Sequence, residues 1–154
     1  MKLNRFETVS GTYIEKISGQ SRIGYSLSDS MDFYDIIEHS KKGDYHGSVI
    51  SFYDYENGKV YEPFSKQRNV SYGHPIYSNH CFWLLQGDYN QGIYTLYRYL
   101  PGEIPQMVTQ INAADVNPYI YELSVKRFIS QARMMILFAI IPNILASSRL
   151  QTKA

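Results

Sequence analysis

One stretch of this chain returns 44 residues later without a gap. "GDYHGSVISFYDYENGKV" (43–60) lies over "GDYNQGIYTLYRYLPGEI" (87–104). Gly43, Asp44 and Tyr45 fall on Gly87, Asp88 and Tyr89, Tyr53 and Tyr55 on Tyr97 and Tyr99, and Gly58 on Gly102. Apolar character matches at Val49/Ile93, Phe52/Leu96 and Val60/Ile104. Internal periodicity restricts a fold more than composition does, because each unit must build the same substructure and stack on its neighbour.

Each copy reads as a hairpin. A polar turn, "GDY", precedes a run of β-branched and aromatic residues, and a second turn follows, "ENG" in one copy and "LPGE" in the other. Asn-Gly between such runs is a strong hairpin signal, since both residues tolerate positive φ. The turns are expected at Asn57-Gly58 and near Pro101-Gly102, with "KVYEPF" and "MVTQI" as the strands that leave them. Between the copies, 75–78 and 80–86 read as two more strands. A period near 44 with about four short strands has the size of a β-propeller blade, roughly 40–50 residues. The expected fold class is therefore all-β, an incomplete set of propeller-like antiparallel β repeats.

The first 42 residues fit the period less well. "ETVSGTYIEKI" and "SRIGYSL" read as strands, and "DSMDFYDIIEHS" as either a short helix capped by Asp29 or Ser30 or another strand pair. Fifteen tyrosines support a β-rich reading, because Tyr suits half-buried pleated surfaces. The segments "GTYIEKISG", "IGYSLSDSMDFYD", "VYEPFSKQRNVSYGHPIY", "FWLLQGDYN" and "VTQINAADV" together resemble the N-terminal half of a group of uncharacterised bacterial proteins with propeller-like β repeats. The resemblance covers roughly 1–122. It implies a β architecture longer than this chain and carries no established activity.

After Glu122 the composition changes. Residues 123–154 contain no Tyr, Gly, Asp or Glu, while Lys126, Arg127, Arg133, Arg149 and Lys153 remain. The chain thus divides into a propeller-like β-repeat region, 1–122, and an apolar, basic C-terminal tail, 123–154, expected to be helical or disordered. Three readings of the tail compete. A membrane anchor needs about 20 apolar residues, and Pro142 and Asn143 interrupt a run that is already too short. A native helix over 123–141 would end at Pro142. A changed reading frame is the third. Met134-Met135 is ATGATG, and the frame starting at its third base reads Asp-Asp, close to where the period places the next acidic turn. A tail translated out of frame would leave the sheet unfinished, and an unpaired edge invites self-association.

Charge excludes some functions. The formal net charge is +1 and no basic stripe occurs, so nucleic acid is not an expected partner. The single cysteine, Cys81, cannot form an internal disulfide. With no apolar run behind "MKLNRFETVS", this points to a cytoplasmic location.

Chemistry-bearing constellations are sparse. Asp29, Asp32, Asp35 and Glu38 recur at threes and could offer oxygens to a hard cation, but the pattern reads first as solvated turns or a helix start. His80 and Cys81 are adjacent, and strand neighbours point to opposite faces. Cys81 is therefore expected as a small core residue beside Trp83. His39, His46 and His74 show no zinc spacing. There is no phosphate-binding glycine loop and no serine nucleophile elbow. The two "GDY" turns remain as candidate partner-binding loops, through Asp44, Tyr45, Asp88 and Tyr89, although such an Asp ordinarily caps its own turn. The expected function is a non-catalytic binding or scaffold module for a protein or peptide, without a cofactor. The alternative is a fragment of a carbohydrate-binding or glycoside-hydrolase-type propeller, which would need two carboxylates facing each other across a cleft.

Overall fold

Two antiparallel sheets form the framework of residues 4–11, 13–31 and 33–115, the residues that the computed structural model describes. The tail 123–154 and Asp32 lie outside them. The first sheet contains β1 (Glu15–Lys16), β2 (Ile23–Leu27), β3 (Ile50–Asp54) and β4 (Val60–Tyr61), in that order. The second contains β5 (Val70–Tyr72), β6 (Ile76–Ser78), β7 (Cys81–Asp88), β8 (Ile93–Tyr99) and β9 (Gln106–Asn112). Its order is β5-β7-β8-β9, with β6 also on β7. Among the described residues neither sheet is closed.

β5 and β6 act as one strand in two pieces. β5 pairs with the far half of β7, from Val70↔Asp88 to Tyr72↔Gln86, and β6 with the near half, from Ile76↔Trp83 to Ser78↔Cys81. The Gly73 N–H still donates to Leu85 O at 2.9 Å. Pro75, which has no N–H to give, stands in the interruption. Both sheets are thus meanders in which sequence neighbours pair.

Both expected hairpin turns form. In the first, Gly58 N–H donates to Asp54 O and Lys59 N–H to the Asn57 side chain, each at 2.9 Å. β8 and β9 flank the turn at Pro101-Gly102, and β9 starts only at Gln106. Ahead of the hairpins the two copies differ. "FYDIIEHSKK" forms a helix, α1 (Phe33–Lys42), where the 44-residue offset would place β7. Ile36 of α1 is buried and Asp35 exposed, the helical alternation. "CFWLLQ" instead carries apolar side chains on both faces, which suits a strand covered on both sides.

The main core lies between the sheets. Ile23, Tyr25, Ile50 and Phe52 from one meet Val70, Tyr72, Phe82, Leu84 and Tyr99 from the other. The Phe52 ring sits 5.7 Å from Phe82 and 5.1 Å from Tyr99, centroid to centroid. A second cluster, Leu85, Tyr94, Leu96 and Ile111, occupies the opposite face of the second sheet. The outer face of the first sheet is covered by the segment before β1. Phe6 packs edge-on to Tyr53 at 5.2 Å, and Ser10 N–H donates to Tyr53 Oη at 2.9 Å. The Tyr53 and Ser26 hydroxyls both donate to Ser10 O, so this fully buried phenol has its polar end satisfied.

Candidate functional site

The structure brings the two "GDY" turns together through one residue. Asn69 donates its N–H to Tyr45 O at 3.0 Å, and its own carbonyl accepts the Tyr89 N–H at 2.9 Å. Asn69 adopts φ 59°, a left-handed conformation that Asn tolerates better than most side chains. Its Nδ2 donates to Asn90 Oδ1 at 3.1 Å, and Asn90 Nδ2 donates to Arg68 O at 2.8 Å. Among the described residues the buried Asn69 Oδ1 has no hydrogen-bond partner.

The same three letters do different work in the two copies. Gly43 ends α1 in a left-handed conformation, φ 72°, with Gly43 N–H on Ser40 O and Asp44 N–H on His39 O. That is the glycine-terminated helix end, which satisfies carbonyls otherwise left open. Asp44 then takes His39 Nδ1 at 2.9 Å, and this hydrogen bond holds its carboxyl below the usual range. Gly87, by contrast, lies inside β7, and Asp88 accepts from Asn90 N–H at 2.9 Å and Gln91 N–H at 3.2 Å. Tyr45 is buried, with its hydroxyl on Asp29 Oδ2 at 3.0 Å. Tyr89 is half-buried, with its oxygen 3.2 Å from Ser71 Oγ and its ring edge-on to Tyr94. Burial raises both phenols above their ordinary value. Of the four candidate residues, only the Asp44 side chain is largely exposed.

A second polar group joins the sheets. Tyr25 of β2 donates its hydroxyl to Glu15 Oε2 at 2.9 Å, and its oxygen lies 2.6 Å from His74 Nδ1. With the phenol proton on Glu15, the phenol oxygen accepts from the imidazole, which places a ring proton on Nδ1. Burial, helped by the Glu15 hydrogen bond, keeps Tyr25 protonated far above neutrality. His74 stands in the break between β5 and β6, so the sheet irregularity aims it at the other sheet. No local spacing foretold this contact, because the partners come from three separate parts of the chain.

The remaining candidates resolve into structural roles. His80 belongs to the β6–β7 turn, not to a strand, and strand β7 begins at Cys81. Asn79 and His80 have φ 52° and 60°, the pair of positive values of a tight two-residue turn. Cys81 is buried and directs its thiol to Ser78 O at 3.3 Å, while Trp83 Nε1 reaches the same carbonyl at 3.2 Å. Among the described residues no three His, Cys, Asp or Glu side chains gather at metal-binding distance. No helix among them is long and apolar enough to cross a membrane. The tyrosines largely pack instead of facing out. Burial pushes Tyr72, Tyr94 and Tyr99 up to about 12.

Exposed apolar surface lies at the β8–β9 hairpin. Ile104 is 86% exposed, Met107 61% and Val108 48%. Ile104 shares a shallow depression with Arg98, Tyr99, Leu100, Glu103 and Gln106. β9 ends the described part of its sheet, and most of its residues are exposed. Sequence reasoning passed over this surface by matching Ile104 to Val60 as a strand residue. The signal was the adjacent Met-Val pair in "QMVTQIN", which breaks the alternation of a half-buried strand. Comparisons with protein-family models, curated proteins and solved structures found no match.

Proposed function

We propose that this chain is a non-catalytic binding module that meets a protein partner at the β8–β9 hairpin. One observation carries the reading: Ile104, Met107 and Val108 stand in solvent on the paired strands β8 and β9 and the turn between them, with Arg98 and Glu103 in the same depression as Ile104. Apolar side chains rimmed by polar and charged ones are the composition of protein contact surfaces. The "GDY" turns are engaged within the fold, Tyr45 with Asp29 and Asp88 with its own turn. Two sequential meanders packed face to face favour a propeller-like arrangement of repeats. The lone, buried thiol of Cys81 suits a cytoplasmic setting. The binding module is favoured over the hydrolase alternative because Asp88 accepts hydrogen bonds from its own turn and the exposed Asp35 lies in the first turn of α1, while Asp32 is outside the described residues.

A displayed-peptide library selected against the full chain tests the reading. Binders are expected to lose at least about tenfold in affinity on a chain carrying Ile104→Asp and Met107→Asp, and to keep it on one carrying Lys41→Asp in α1. A binder set indifferent to the hairpin substitutions overturns it.

A further inference from the structure

We infer that the partner at this hairpin is a second copy of the chain, an assignment that rests on the binding reading above. Two observations lead there. The first concerns how a partner can approach. The β8–β9 register passes from Leu96↔Thr109 to Tyr97↔Met107, leaving Val108 as an extra, bulged residue. A bulge twists an edge strand and interrupts its row of free backbone groups, which opposes the addition of an extended peptide. The occupant therefore docks through side chains on a folded surface, not through a backbone ladder.

The second observation is the charge pattern. β9, "QMVTQIN", carries no charged residue, so an acidic or a basic partner finds no complement along it. The depression at its foot is lined by one charge of each sign, Arg98 and Glu103, together with Ile104. Among the described residues neither is in an ion pair. A patch with an apolar centre, one cation and one anion is complementary to itself. In a two-fold interface each residue i that meets j is repaid by j meeting i, so rotation sets Arg98 of each copy against Glu103 of the other, with the Ile104 side chains near the axis. A hetero-partner would need no such balance.

Charge reversal on the full chain, followed by sedimentation over a concentration series, tests this. The unaltered chain is expected to form a dimer in a concentration-dependent way. Arg98→Glu alone and Glu103→Arg alone should each raise the dimer dissociation constant about tenfold or more, because each sets like charges opposite. The double exchange, Arg98→Glu with Glu103→Arg, should restore it. Circular dichroism of each variant checks that the exposed substitutions leave the fold intact. A chain that stays monomeric to about 100 μM overturns the inference. So does a dimer indifferent to both single reversals, which would place the contact elsewhere. A monomer that still selects hairpin-dependent peptides sinks the second-copy assignment alone and leaves the binding module standing.

Discussion

Arg22 grips Asp54 in a fork. Its Nη2 lies 2.7 Å from Asp54 Oδ2, and its Nε lies 3.1 Å from each carboxylate oxygen. The Asp54 side chain is only 2% exposed, whereas Arg22 is 53% exposed. The pair ties the start of β2 to the end of β3, where Ile23 sits opposite Asp54. Removing the cation strands a buried carboxylate, which costs more than the pair itself contributes. Arg22→Ala should therefore lower the urea midpoint of unfolding, by less than for a fully buried pair because Arg22 is half exposed. An unchanged midpoint would mean that water replaces the guanidinium without penalty.

The same pair gives stability a sign against pH. The Arg22 hydrogen bond, with the Glu56 N–H, holds the Asp54 carboxyl below its ordinary value. A carboxyl depressed on folding contributes stability that is fully present above its unfolded value, about 3.9, and is lost as pH falls through the folded value. Thermal midpoints should accordingly hold at neutral pH and drop below about pH 4. The Arg22→Ala chain should show a shallower acid limb over that window. Parallel limbs would remove Asp54 from the account.

Gly47 is predicted to be intolerant of any side chain. Its φ is 80°, and a Cβ there would sit 1.8 Å from Gln67 O. The segment it belongs to connects with β5, for Ser48 N–H donates to Val70 O at 2.9 Å. Gly47→Ala should cost more than about 2 kcal/mol, combining left-handed strain with a backbone clash. Hydrogen exchange should quicken at the Ser48 and Asn69 amides. Unchanged protection there would show that the loop absorbs the methyl group by shifting.

His80 offers a gain. It holds φ 60° in the β6–β7 turn, where glycine would be unstrained. His80→Gly should stabilise by up to about 1 kcal/mol, read as a higher urea midpoint with an unchanged slope. A lower midpoint would mean that the imidazole contributes a contact worth more than the backbone strain.

Much of this architecture was visible in the residues. The hairpin turns at Asn57-Gly58 and Pro101-Gly102 were legible because turn chemistry is local, and so was the strand run around "CFWLLQ", with apolar residues on both faces. The residues of α1 admit two readings, since a short apolar run has no period long enough to separate helix from strand. The convergence of Tyr45 and Tyr89 on Asn69 was not legible. Repeated letters suggested repeated roles, yet Gly43 terminates a helix and Gly87 continues a strand, because neighbouring residues determine what a glycine must do. The Glu15–Tyr25–His74 contact escaped for a related reason. It depends on how two sheets face one another, which no spacing along the chain encodes. Ile104, Met107 and Val108 were missed because an apolar residue in a strand pattern is assigned to the core by default.

The link between Tyr25 and His74 has a further consequence, for measurement. It runs from the first sheet to the break in the edge of the second. A slide of one sheet over the other by about an ångström would carry the two atoms out of hydrogen-bonding reach. The imidazole is thus a strain gauge mounted across the layers. While the bond holds, it fixes which ring nitrogen carries the proton, and once it slips the balance between the two tautomers is free to change. Nitrogen chemical shifts of that one side chain would register a misalignment of the layers before any strand had come apart.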